Sequence, residues 1–198
     1  MKLYHMSQTL QLGDTIVADF QKCMPLVQPF VQALERSEDC FYGMVLNGRY
    51  LYAMLDKFKL WEWADYAKWA TEGAFEFIRQ TEFPDSNSRM GSTYLFDNLP
   101  DIQRHFQEDW GNEDEEEQEK VHLFEIEAEE ACLQRRDMNI YNEAYDAMSE
   151  TQNIPLVLDC ARRYFSGQQS ATPAWEILSA GPAKAVADIT EQLTKPHT

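Results

Sequence analysis

The chain has 198 residues, 44% of them hydrophobic and 13% aromatic. That is enough apolar material for a sizeable core, argues against wholesale disorder, and predicts a single domain over 1–198. Seventeen Lys and Arg stand against 34 Asp and Glu, a formal charge of −17. The excess argues against broad electrostatic capture of nucleic acid or of an anionic membrane, while Arg135, Arg136, Arg162 and Arg163 leave room for a local basic groove. Cys23, Cys40, Cys132 and Cys160 are scattered without a CxxC pair, which fits reduced thiols better than a zinc site or a disulfide scaffold. No apolar run approaches the ~20 residues that span a bilayer, and the amino terminus lacks a hydrophobic signal core. A cytoplasmic protein is expected.

In chain order, Leu3 to Ser7 reads as a short strand. Gln11 to Ile16 reads as a turn followed by a brief extended piece. Over residues 20–45, Val27, Phe30, Val31 and Leu34 suit one short helix, and Pro25 and Pro29 are expected to interrupt a longer one. Leu51, Leu55 and Phe58 recur at helical spacing. Trp63, Tyr66, Ala67, Ala70, Ala74, Phe77 and Ile78 then hold one face for about four turns, with the aromatics read as core rather than as a ligand cage. Phe83-Pro84-Asp85 ends this unit.

Next comes Asn87-Ser88-Arg89-Met90-Gly91-Ser92-Thr93-Tyr94-Leu95-Phe96-Asp97, a flexible arginine-bearing turn running into a strand. Thr93 and Leu95 point to one face of it, Tyr94 and Phe96 to the other. Asp97 or Asn98 caps a following helix, with Pro100 in its first turn and Leu99, Ile102 and Phe106 at helical spacing. Between Glu113 and Glu119 lie six carboxylates. This acidic segment, 112–120, reads as a solvated loop or a fraying helix, since nothing fixes the geometry of a metal site there. Val121 to Glu127 is a strand, on which His122 is structural or solvent-facing. Asp137 to Ser149 and Asn153 to Phe165 are helices. The second is capped by Asn153, carries Pro155 in its first turn and is stopped by Gly167. A loop over Gly167 to Pro173 precedes two strands around Trp175–Leu178 and Lys184–Ile189, and the last residues fray. Segregated helices and a mostly antiparallel sheet make the expected class α+β.

Three short motifs carry a resemblance. Leu3-Tyr4-His5-Met6-Ser7 ends a first strand in His and Ser. Gly91-Ser92-Thr93-Tyr94-Leu95-Phe96 is a strand bearing Tyr. Tyr164-Phe165-Ser166-Gly167 leads to Trp175-Glu176-Ile177-Leu178 and Gly181-Pro182, a strand bearing Glu. His, Tyr and Glu, each on its own strand and in that order, resemble the triad of the ADP-ribosyltransferase superfamily, closest to a little-described bacterial family within it.

The resemblance implies a split, mostly antiparallel sheet with flanking helices, and NAD as the substrate that is cleaved. Glu176 would stabilise positive charge developing on the ribose and accept a hydrogen bond from its 2′-hydroxyl. Tyr94 would stack on nicotinamide. His5 would bond a ribose hydroxyl of the adenosine half with Ser7 in support, and Arg89 would fork onto the pyrophosphate. Ser88 and Ser92 would position the turn. No metal is implied. The superfamily branch that modifies arginine carries an acidic residue or Gln two positions before its catalytic Glu; Ala174 stands there in this chain. The expected activity is mono-ADP-ribosyl transfer to a protein or a nucleic acid, in the setting of a toxin or phage-defence effector with an antitoxin or regulatory partner. The alternatives are an inactive NAD- or nucleotide-binding module and an acidic protein-interaction domain. No Gly-rich dinucleotide fingerprint is present, which disfavours a Rossmann dehydrogenase.

Overall fold

The computed structural model describes residues 2–47 and 63–193. Along the chain run β1 (Leu3–Ser7), β2 (Thr15–Ile16), α1 (Phe20–Arg36), α2 (Glu38–Leu46) and α3 (Trp63–Glu82). Then come β3 (Thr93–Leu95), α4 (Leu99–Trp110), α5 (Glu115–Glu119), β4 (His122–Ala128) and β5 (Leu133–Asp137). α6 (Met138–Asp146), α7 (Ile154–Phe165), β6 (Trp175–Ser179) and β7 (Ala183–Asp188) complete the set. The class is α+β. Backbone contacts divide the chain into a strand-rich unit, Met1–Ala18, Ser92–Arg136 and Ala174–Thr198, and a helical unit, Asp19–Gly91 and Asp137–Pro173.

The strand-rich unit holds one four-stranded sheet in the order β1-β4-β7-β2 and one three-stranded sheet in the order β3-β6-β5. β1 with β4, β4 with β7, β2 with β7 and β3 with β6 all pair antiparallel. The two sheets touch through one bridge between Tyr4 and Phe96, whose backbone groups exchange bonds of 2.8 and 2.9 Å. Beyond that bridge β1 and β3 part. Alternation along each strand builds the cores: Leu3, Leu95, Phe124, Ile126, Ile177, Ala183 and Ala185 form one buried cluster. Tyr4 and Phe96 form another with Leu123 and with Ile102 and Phe106 of α4. Asn98, not Asp97, caps α4, its side-chain oxygen accepting from the Asp101 N–H at 2.8 Å. The acidic run folds into α5, a five-residue helix that buries no side chain.

In the helical unit, α1 continues through both Pro25 and Pro29, correcting the expected interruption. Pro25 is exposed and Pro29 half-buried, while Val27, Phe30, Val31, Ala33 and Leu34 are buried on the other face. Burial of that face outweighs the amide hydrogen bonds lost at the two prolines. Tyr66, Ala67, Ala70, Ala74 and Ile78 form the inner face of α3, with Phe75 rather than Phe77 fully buried. The Trp63 side chain, the helix expected over Leu51, Leu55 and Phe58, and the frayed end at 194–198 lie outside the described residues. Phe75 meets Tyr141, Tyr164 and Phe165 at ring separations of 5.2, 5.4 and 6.0 Å. α6 stops at Asp146, and a π-helical turn over Ala147–Thr151 follows, ending at Gln152 with φ of +48°. Asn153 caps α7 and Gly167, at φ +78°, ends it. β5 was not expected, because Leu-Gln-Arg-Arg-Asp lacks the alternation that marks a half-buried strand. No helix among the described residues is long and apolar enough to cross a membrane.

Candidate functional site

The candidate site lies where β1 and β3 part. The His5 Nδ1–H donates to the Tyr94 carbonyl at 2.9 Å. A carbonyl only accepts, so this bond fixes the proton on Nδ1 and leaves Nε2 of the neutral ring as an acceptor. Burial pushes the His5 imidazole below its ordinary value, outweighing the bond to Tyr94, which works the other way. His5 and Ser7 line an open cleft of about 460 Å³ with Thr9, Asp14, Thr15 and Ile16. The Ser7 hydroxyl accepts the backbone N–H groups of Thr9 and Leu10 at 3.2 and 3.1 Å, folding the chain around that cleft. Asp14 and Thr15 were not singled out from the sequence. They reach the cleft through the pairing of β2 with β7, a contact across the chain that local pattern does not reveal.

Tyr94 and Glu176 share a face of the three-stranded sheet. Tyr94 lies opposite Leu178, and Glu176 stands two residues before Leu178, so alternation turns both side chains the same way. Glu176 is 2% exposed and Tyr94 half-buried. A carboxylate so thoroughly withdrawn from water departs from the exposure usual for glutamate. Ser92, two residues before Tyr94, is 6% exposed, and its hydroxyl has no hydrogen-bond partner among the described residues. Buried hydroxyls are normally satisfied, so Ser92 offers an open donor and acceptor. On the neighbouring residue, the Trp175 ring carries the Arg135 guanidinium at 4.2 Å, and Arg135 pairs with Asp97 at 3.2 Å.

Arg89 belongs to the helical unit and is 6% exposed. Its Nε lies 3.2 Å from both oxygens of Glu72, its Nη1 donates to the Tyr164 hydroxyl at 2.9 Å, and its guanidinium stacks 3.7 Å above the Tyr141 ring. This corrects the expectation of a flexible donor awaiting a pyrophosphate: the fork is already answered by a buried carboxylate and two aromatic rings. The turn around it is fixed as well. Ser88 donates to Glu76 at 2.8 Å, and Arg79 donates to the carbonyls of Pro84 and Ser86 at 3.4 and 3.3 Å.

Among the described residues the helical unit shows a hollow of about 480 Å³ beside α6 and one of about 560 Å³ between α1 and α2, neither lined by a candidate site residue. Among the described residues no group of three or more His, Cys, Asp and Glu is arranged to hold a metal ion.

A comparison with curated proteins finds none that matches this chain. The family model described as "Protein of unknown function (DUF2441)" matches residues 3–191, and the protein belongs to that family.

Proposed function

We propose that the protein is a cytoplasmic mono-ADP-ribosyltransferase that cleaves the nicotinamide–ribose bond of NAD and passes ADP-ribose to a macromolecule. The observation that carries this reading is the bond from His5 to the Tyr94 carbonyl across the parting of β1 and β3. It ties the histidine of one sheet to the tyrosine strand of the other, on which Tyr94 and Glu176 face the same way. A split antiparallel sheet with His, Tyr and Glu on three strands is the arrangement that the sequence resemblance implies.

Each side chain has a task in that chemistry. The Nε2 of His5 accepts a ribose hydroxyl of the adenosine half, and Ser7 shapes the cleft around it. A volume of about 460 Å³ falls within the range of roughly 300–1,000 Å³ found for small-molecule sites. Tyr94 offers a flat face to nicotinamide, worth roughly 0.5–1.5 kcal/mol beyond burial, and Ser92 supplies a buried hydroxyl with no partner among the described residues. Bond cleavage passes through an oxocarbenium-like state in which positive charge grows on the ribose. A carboxylate at Glu176, about 4 Å from that charge at an effective dielectric of about 20, gives about 4 kcal/mol, close to a thousandfold in rate.

Protein is the acceptor this reading favours. The arginines that offered a basic groove are largely answered by carboxylates: Arg135 by Asp97 at 3.2 Å, Arg162 by Glu82 at 2.9 Å and Arg163 by Glu143 at 3.0 Å. Toxin or phage-defence action, with an antitoxin as partner, is the setting that the resemblance suggests. The test is incubation with adenine-labelled NAD and cell lysate. Free nicotinamide together with label that becomes acid-soluble after protease, and not after nuclease, is the expected result. Undiminished NAD and unlabelled macromolecules would leave a binding module in its place.

A further inference from the structure

Among the described residues no strand pairs with the outer side of β2 in the four-stranded sheet. β2 is the last strand in that sheet and only two residues long. Its pairing with β7 is extended by the Gly13 N–H bonding to the Ala185 carbonyl and the Ala185 N–H bonding to the Asp14 carbonyl, each at 2.9 Å. An edge strand presents unpaired N–H and C=O groups, and proteins usually blunt such edges by keeping them very short, as β2 is, or with lysines or proline. Here the edge is flanked by aliphatic side chains in water: Leu12, Val17 and Val186 are 61, 67 and 43% exposed. The Gly13–Ala185 bond sets the chain positions of Leu12 and Val186 next to each other, and contiguous exposed apolar surface marks interaction sites.

The polar groups around them set the chemistry of the occupant. Val186 alternates on the outer face of β7 with exposed Lys184 and Asp188, and Glu127 of β4, also exposed, lies opposite Lys184. With exposed Asp14 at the turn, this edge carries three carboxylates and one lysine, Asp188 also accepting from Thr190 and lying 3.6 Å from His122 Nδ1. A second copy of a chain carrying −17 would bring like charge to this edge. The complementary occupant is an extended segment in which aliphatic residues alternate with Lys or Arg, since alternation sends one set onto the valines and the other toward the carboxylates.

We propose that the β2 edge docks such a basic, extended segment of a partner protein, which adds to the sheet as a further strand. Thr15 and Ile16 also line the cleft of His5 and Ser7, so the docked segment runs along the rim of the proposed NAD site. That the docked protein is also the acceptor rests on the transferase reading; the docking itself does not.

The experiment uses the full chain without NAD and three end-blocked heptapeptides: alternating Lys-Val, alternating Glu-Val, and the Lys-Val peptide with its central residue changed to Pro. Fluorescence anisotropy is expected to show binding of the Lys-Val peptide alone, weakened by salt through charge screening. Amide shifts are expected to concentrate in residues 12–17 and 183–188. Leu12→Lys and Val186→Lys should each weaken binding about tenfold, or about 1.4 kcal/mol, with unchanged melting temperatures and unchanged nicotinamide release. Equal binding of the acidic peptide, shifts elsewhere, no binding of any peptide, or a dimer that Val186→Lys dissociates would each overturn the proposal. Peptide binding without any nicotinamide release would uphold the docking edge and remove the acceptor role alone.

Discussion

At the scale of single residues, the proton on His5 is the detail with the most consequences. Its Nδ1–H is committed to the Tyr94 carbonyl, so a ribose hydroxyl can be accepted only while Nε2 is unprotonated. Burial lowers the His5 pKa from its ordinary 6.5. With the folded value depressed, the stability contributed by His5 is present above 6.5 and is lost as pH falls through that value and on through the folded pKa, because the unfolded state takes up the proton first. An NMR titration of the imidazole should give a midpoint below 6.5, and NAD affinity should fall in the same range. A midpoint at or above 6.5 would show that the ring is better solvated than its surroundings indicate. Arg89 carries the opposite lesson. A polar turn such as Asn87-Ser88-Arg89 looks exposed in sequence, and the Glu72 carboxylate and the Tyr141 and Tyr164 rings that bury it lie 17, 52 and 75 positions away. Arg89→Ala would strip that ion pair from a carboxylate 2% exposed, a change that costs about 3–5 kcal/mol in comparable sites. Urea unfolding should register the loss, and the Glu72→Gln/Arg89→Met double variant should regain much of it. Unchanged stability with weakened NAD binding would restore Arg89 as a ligand of the cofactor.

At the scale of elements, strong local signals were legible. Leu3 to Ser7, the strand at Thr93–Leu95, the Asn98 cap with Pro100, and the Asn153 cap with Gly167 are each written in a few adjacent residues, and each takes the expected form. Elements decided by long-range packing were not legible. α1 runs through two prolines because its buried face lies against α3. The closeness of that contact is recorded at Gly73, where an added Cβ would come 2.4 Å from Cβ of Phe30. Phe30 cannot swing aside, since its Cβ moves only with the α1 backbone. Gly73→Ala should therefore destabilise the fold by about 1–3 kcal/mol, although alanine is the better helix former by about 1 kcal/mol. A raised melting temperature would mean that the two helices can separate at little cost. β5 was hidden for a related reason: Arg135 is held by Trp175 and Asp97, partners that a reading of Leu133 to Asp137 alone does not contain.

At the scale of the whole chain, composition indicated a sizeable core and the order of the elements an α+β class, and both are present. The division into a strand-rich and a helical unit was not visible, because each unit is assembled from separated stretches of chain and no linker composition marks the joins. The candidate residues divide with it: His5, Ser7, Ser92, Tyr94 and Glu176 belong to the strand-rich unit and Arg89 to the helical one. Order along the chain brought out His, Tyr and Glu; it did not bring out the cleft wall at Asp14 and Thr15, or the β2 edge behind it. The central claim concerns the charge of Glu176, and Glu176→Gln tests it most directly. The amide keeps the shape and can still accept a hydrogen bond while removing the negative charge. Calorimetric NAD affinity is to be compared with the rate of nicotinamide release in the same variant. A fall in turnover of about a thousandfold with nearly unchanged affinity is the predicted result, since in the proposed reaction the charge acts on the transition state. Unchanged turnover would contradict the catalytic role, and a loss confined to affinity would make Glu176 part of a binding site only.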